Sequence, residues 1–223
     1  MAKAAQQPGN NVTPLRFLSR REAVLRLEGN GVYLRFPERR DYEKWSKVRS
    51  SSRRFLEPWE PTWSRDDLTK RAFLRRIERY ELDYRDGRAV PLFLFLSDDD
   101  QLVGGLNIGN IRRAAAQSCM IGYWMSEESA GKGLMLAGLK TAMPYIFETL
   151  RLHRVEAACI PDNNRSVRLL EKANFRREGY LRDYLKINGE WRDHHLYSFL
   201  SSDWDAGART PLLSERNTGS NQT

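Results

Sequence analysis

The sequence offers little to disulfide or metal chemistry: its 223 residues include two cysteines and three histidines. Cys119 and Cys159 sit in apolar stretches that read as strands, so reduced, buried thiols in a cytoplasmic protein are expected rather than a bridge. His153, His194 and His195 lack the spacing of a zinc site, and no metal is expected. No apolar run approaches the roughly 18 to 20 residues that span a bilayer, and no membrane partner is expected. The opening MAKAAQQPGNNVTP has no apolar core of the secretory-leader kind. The Walker pattern and the dinucleotide G-x-G-x-x-G are both missing, which argues against nucleoside triphosphate and NAD sites. There is no internal repeat and no interior linker.

What is present is a globular balance, 40% hydrophobic and 30% charged residues, in a chain long enough for one sizeable core. Lys plus Arg exceed Asp plus Glu by 37 − 29 = 8. A net charge of +8 suits anionic partners such as phosphate-bearing ligands, RNA or a ribosome surface, and a solvated basic exterior accounts for it as well. Residues 1–21 are expected to form a mobile arm, 22–204 one domain, and 205–223 a disordered tail.

Within the domain the pattern is mixed α/β. Residues 31–36 alternate as a strand, and Pro37 opens a helix with Tyr42, Trp45 and Val48 on one side. FLEPWEPTW, with two prolines, reads as a stiff aromatic loop. Ser64 and Asp67 form a capping box for a second helix carrying Leu68, Ala72, Ile77, Tyr80 and Tyr84, which Gly87 ends. Residues 92–96 and 101–111 form a hairpin whose glycines suit bulges. Strand 119–125 follows, then a glycine turn, a helix over 134–150 that Pro144 should kink, strand 153–160 and helix 166–173. Two final strands flank Asn188-Gly189, a type I′ turn signal.

The turn Ala130-Gly131-Lys132-Gly133-Leu134-Met135 is the candidate ligand site. Glycines let backbone approach a ligand, and the first N–H groups of the following helix suit a pyrophosphate, to which Lys132 can add charge. A plain packing turn fits the same residues. The turn resembles the CoA loop of the GNAT superfamily, Q/R-x-x-G-x-G/A, aligned on Ala130, Gly133 and Met135, with departures at the first and last. PDNNRSVRLLEKANF, FLEPWEP and DYLKINGEWRDHHLY resemble the RimJ/RimL branch, which acetylates N-termini of ribosomal proteins. The resemblance covers about residues 22–204.

This resemblance implies a twisted mixed sheet with helices on both faces and acetyl-CoA as cosubstrate. It implies that the pantetheine arm lies along Met125 and Ser126 where two strands part, and that Gly131, Lys132, Gly133, Leu134, Met135 and Asn163 bind the cosubstrate. A hydroxyl at Ser166 would meet the leaving thiolate. Asn163 also fits as a helix N-cap, and Ser166 as a plain helix-start residue. Glu60 and Asp193 are the candidate bases by location in the family fold, and structural hydrogen-bond roles fit both. Trp59 and Trp63 either wall the acceptor pocket or pack the helices. The implied reaction is direct transfer to a protein N-terminus, of a ribosomal protein in particular. A small amine or antibiotic as acceptor, or a non-catalytic RNA-associated role, are the alternatives.

Overall fold

The structure, a computed structural model, describes residues 25–204, so the expected arm and tail lie outside the described residues. Eight strands form one sheet in the order β1-β2-β3-β4-β5-β6-β8-β7. They are β1 (Arg26–Glu28), β2 (Val32–Arg35), β3 (Val90–Leu96), β4 (Leu102–Arg112), β5 (Ser118–Met125), β6 (Arg154–Cys159), β7 (Arg176–Ile187) and β8 (Glu190–Leu200). Every pairing is antiparallel except β5 with β6. Among the described residues no helix is long and apolar enough to cross a membrane.

Helices cover both faces. α4 (Leu134–Pro144) buries Met135, Gly138, Leu139, Ala142 and Met143, a three-and-four spacing that lays one apolar stripe on the sheet. α4 shares its cluster with Val32, Leu34, Leu92 and Leu94, and with Leu170 of α5 (Asn164–Lys172). On the other face α1 (Tyr42–Ser51) and α3 (Lys70–Arg85) pack Trp45, Phe73 and Ile77 on Tyr33, Phe93 and Phe95. Both α3 and α5 end in a left-handed residue. Gly87 (φ 67°) lets the Arg88 and Ala89 N–H groups bond back to Asp83 O, and Asn174 (φ 64°) lets the Phe175 N–H bond back to Leu170 O.

Three expectations need correction. The Ser64–Asp67 capping box does not form. Ser64 Oγ donates to Asp66, Asp66 and Asp67 pair with Arg75 and Arg76, and the helix starts later with Thr69 accepting from the Ala72 N–H. The first half of the segment expected as a loop is instead helical, in α2 (Arg53–Leu56) and a 3₁₀ turn Glu57–Trp59, because Pro58 occupies a first-turn position where its missing N–H is not needed, while residues 60–63 are irregular as expected. Past Pro144 the expected kink is a change of winding: a π-helical turn, Tyr145–Thr149, continues the helix. The Asn188-Gly189 turn has φ of 44° and 89°, as type I′ requires.

Candidate active site

The site arises where two neighbouring strands part. β5 and β6 pair only from Ser118 to Met120 against Arg154 to Glu156, and beyond that the ladder stops. On its other side β5 stays bonded to β4, with Gly105 opposite Trp124 and the Ser126 N–H donating to Val103 O at 2.8 Å. Backbone direction alternates along a strand, so the N–H groups of Tyr123 and Met125 face the opening. Gly105 sets the geometry here, since a Cβ would lie 2.4 Å from the Trp124 indole nitrogen.

A cleft of about 470 Å³ follows this opening, between the start of α4, the start of α5 and α2. The turn into α4 has Gly131 and Gly133 both at φ 79°, a left-handed region that other residues enter only with strain. Ala137 N–H is the first to bond into the helix, to Gly133 O, and the N–H groups of residues 131–136 have no backbone partner among the described residues. Gly131, Gly133, Leu134, Met135 and Leu136 line the cleft, so several of these donors and the positive end of a helix dipole gather at one rim of it. The helix opened by Asn163 brings in the reacting end. Asn163 Oδ1 accepts from the Ser166 N–H at 3.1 Å, and Ser166 Oγ lies 2.6 Å from the Tyr123 hydroxyl. Burial pushes the Tyr123 phenol well above its usual range, so it stays protonated, and either hydroxyl of the pair can donate to the other. With Tyr123 as the donor, the serine hydroxyl is free to donate in turn.

The α5 side of the wall carries three cations. Arg165, Arg168 and Lys172 follow one face of α5 at spacings of three and four, and the Arg165 guanidinium lies 5.0 Å from the Phe55 ring of α2. An anionic ligand with an extended, amide-bearing body suits this arrangement: backbone donors and cations at one end, an open strand edge along the middle, and a paired hydroxyl at the other.

A sequence profile described as "Acetyltransferase (GNAT) domain" matches residues 32–176. The chain belongs to the GNAT acetyltransferase family. It is 33% identical over 183 residues to the Escherichia coli enzyme named [Ribosomal protein uS5]-alanine N-acetyltransferase, covering 82% of this chain and 94% of that one. The solved structure of Mycobacterium smegmatis RimJ in complex with CoA-disulfide superposes with a TM-score of 0.75 at 34% identity, over 81% of this chain and 88% of that chain. Ribosomal-protein-S5-alanine acetyltransferase from Vibrio fischeri superposes with a TM-score of 0.74 at 28% identity, over 81% and 98%. The protein is thus an acetyltransferase of RimJ/RimL type on the GNAT fold, as the sequence resemblance implied.

Within this GNAT cleft stand Met125, Gly131, Gly133, Leu134, Met135, Asn163, Ser166 and Glu60. Lys132 is exposed and lines no part of it. Ser126 also turns away: its N–H is committed to Val103, and its buried hydroxyl accepts from the Ser129 N–H. Asp193 is not brought to the cleft either. It accepts from the Tyr180 hydroxyl and the Asp183 N–H, clamping the irregular stretch of β7 against β8. Glu60 reaches the cleft with its carboxylate taken, a bidentate pair with Arg49 at 2.7 and 2.5 Å plus Trp63 Nε1 at 2.8 Å. Trp59 walls the cleft, and Trp63 stacks on Arg49. Sequence reasoning missed Tyr123 and the α5 cations. The cations were readable as R-S-V-R-L-L-E-K spacing, whereas Tyr123 is marked by nothing short of the strand separation.

Proposed function

We propose that the enzyme moves the acetyl group of acetyl-CoA onto the α-amine of a polypeptide, that of a ribosomal protein, by direct attack in a ternary complex. The observation that carries this reading is the Tyr123–Ser166 hydroxyl pair at the inner end of a cleft whose outer rim is the glycine turn and first turn of α4, with N–H groups that have no backbone partner among the described residues. The residues fit acetyl-CoA. Gly131 to Leu136 would take the diphosphate through backbone donors, and Arg165, Arg168 and Lys172 would meet its other phosphate. The freed N–H groups of Tyr123 and Met125 would pair with the pantetheine amides as a surrogate strand, and one of them would face the oxygen of the reacting carbonyl. Ser166, oriented by Tyr123 and by its own capped backbone, would donate to the departing thiolate.

Direct attack is favoured by the state of the cysteines and of the acceptor. Burial pushes the Cys119 thiol up to about 12 and the Cys159 thiol up to about 11, so neither supplies a thiolate at neutral pH. An α-amine, with a pKa near 7.7 to 8.0, is roughly one-third neutral at pH 7.5, against about 0.1% for a lysine. Such an acceptor needs a path for its proton more than a strong base, in keeping with a Glu60 already held by three donors.

The test is thiol release from acetyl-CoA with hexapeptides beginning in Ala or Ser, beside an N-blocked peptide that offers only a lysine amine. Release with the free N-termini and none with the blocked peptide is expected; the reverse pattern rejects the α-amine. Ser166→Ala should lower kcat about tenfold, the worth of one hydrogen bond to a developing charge, with acetyl-CoA affinity held within about twofold. Tyr123→Phe should fall in the same direction by less. Full activity in Ser166→Ala would remove the thiolate role.

A further inference from the structure

On the opposite face of the sheet, a smaller cavity of about 150 Å³ opens beside the cleft. The two share Glu60, Tyr123 and Trp124, so they meet next to the hydroxyl pair. The floor of the smaller one is bare sheet. Gly105 and Asn107 of β4 lie opposite Trp124 and Gly122 of β5, while Pro91 and Tyr80 stand at the sides.

Gly122 is the unusual element. A glycine inside a strand is destabilising relative to alanine, so its presence calls for a compensating use. Elsewhere in this sheet the use is visible: a Cβ at Gly105 would strike Trp124, and one at Gly109 would lie 2.8 Å from the Asn107 amide. At Gly122 a Cβ would meet nothing within 4 Å, and the residue is not among the glycines at positive φ. Neither packing nor backbone conformation requires glycine there. What the missing side chain provides is open space above the floor. Around that space, the exposed amide of Asn107 and the half-buried hydroxyl of Tyr80 make no hydrogen bond among the described residues, so both are available to a ligand. A small apolar recess with a few convergent polar groups is the pattern of a ligand subsite.

We propose that this cavity seats the first residue of the acceptor polypeptide, with Gly122 limiting how large its side chain can be. The inference rests on the α-amine reading above. A cavity near 150 Å³ holds a benzene-sized body of about six non-hydrogen atoms, the size of an alanine or serine residue and well short of leucine or tryptophan. The acceptor's amine then points past Tyr123 and Trp124 toward the larger cleft, and the Asn107 amide is placed to bond its first peptide group.

Wild type, Gly122→Ile and Gly122→Ala are compared by thiol release with hexapeptides starting in Gly, Ala, Ser, Leu or Trp, with acetyl-CoA affinity measured by calorimetry. An isoleucine suits an exposed strand position, so the variant should melt no lower than wild type. Gly122→Ile should lower kcat/KM for the Ala peptide about 100-fold, chiefly through KM, with acetyl-CoA affinity unchanged. Gly122→Ala should favour Gly over Ser peptides more than wild type does. Wild type itself should turn over Leu and Trp peptides about 100-fold less well than Ala. A flat first-residue profile in wild type overturns the subsite whether or not the variants fold. Unchanged turnover in Gly122→Ile also overturns it, and leaves transfer to peptides standing. A wild type that binds acetyl-CoA yet acetylates none of the peptides removes the α-amine reading, and the subsite with it.

Discussion

Gly133→Val should abolish acetyl-CoA binding measurable by calorimetry at millimolar ligand, while the sheet stays folded by near-ultraviolet circular dichroism. Gly133 caps α4 at φ 79°, and a Cβ there would meet no atom within 4 Å. The effect is therefore one of backbone conformation and not of collision. A β-branched residue in the left-handed region costs about 1–3 kcal/mol, and the chain relieves that strain by rotating the peptide units on either side. Those units carry the N–H groups aimed at the ligand. Several charge-assisted hydrogen bonds are misdirected together, which should weaken binding by at least about 100-fold. Affinity within twofold of wild type would mean that the cosubstrate does not use this turn.

Glu60→Ala should be the most destabilising change near the site. The Arg49 side chain is only 6% exposed, its guanidinium lies 4.2 Å from the Trp63 ring and 5.1 Å from that of Trp124, and its Nε is buried with no partner. Glu60 supplies the countercharge at both remaining nitrogens. Its removal leaves a buried cation uncompensated, a loss of about 3–5 kcal/mol. For a domain of this size the melting temperature should fall by about 6–20 °C. Glu60→Gln should fall less, since it keeps the volume and one acceptor. A general base would behave in the opposite way, with kcat lost, stability kept and activity recovered at higher pH. Because Trp124 walls both cavities and rests on Arg49, activity should decline in Glu60→Ala as a consequence of lost order.

Much of this architecture could be read from local pattern. The αL positions at Gly87, Gly133 and Gly189, the strand alternation and the Asn163 cap are each fixed by neighbours a few residues away. The departures occurred where a competing local partner won. Thr69 displaced Ser64 as cap because Asp66 and Asp67 found arginines on the following helix. Ser126 looked available for a ligand, but the β4–β5 ladder runs on in register past Gly104 and Met125 and commits its N–H to Val103 O. Asp193 was placed on the correct hairpin, yet two extra residues in β7 between Leu181 and Leu185 gave it a backbone N–H and a tyrosine to hold. Tyr123 was invisible for a different reason. Its role depends on a separation between strands whose paired residues lie 36 positions apart in the chain, and no property of the β5 sequence encodes where its neighbour leaves.

That separation also bears on how the protein behaves as a mechanical object. Five strands stand on one side of it and three on the other, and the seam between them is closed by three residue pairs. A ligand threaded into the seam would act as the missing rung, tying the two blocks together with main-chain bonds that the polypeptide itself does not supply. On the proposed placement of acetyl-CoA, occupancy and rigidity would rise together, and each loading would stiffen the wall against which the acceptor must be held.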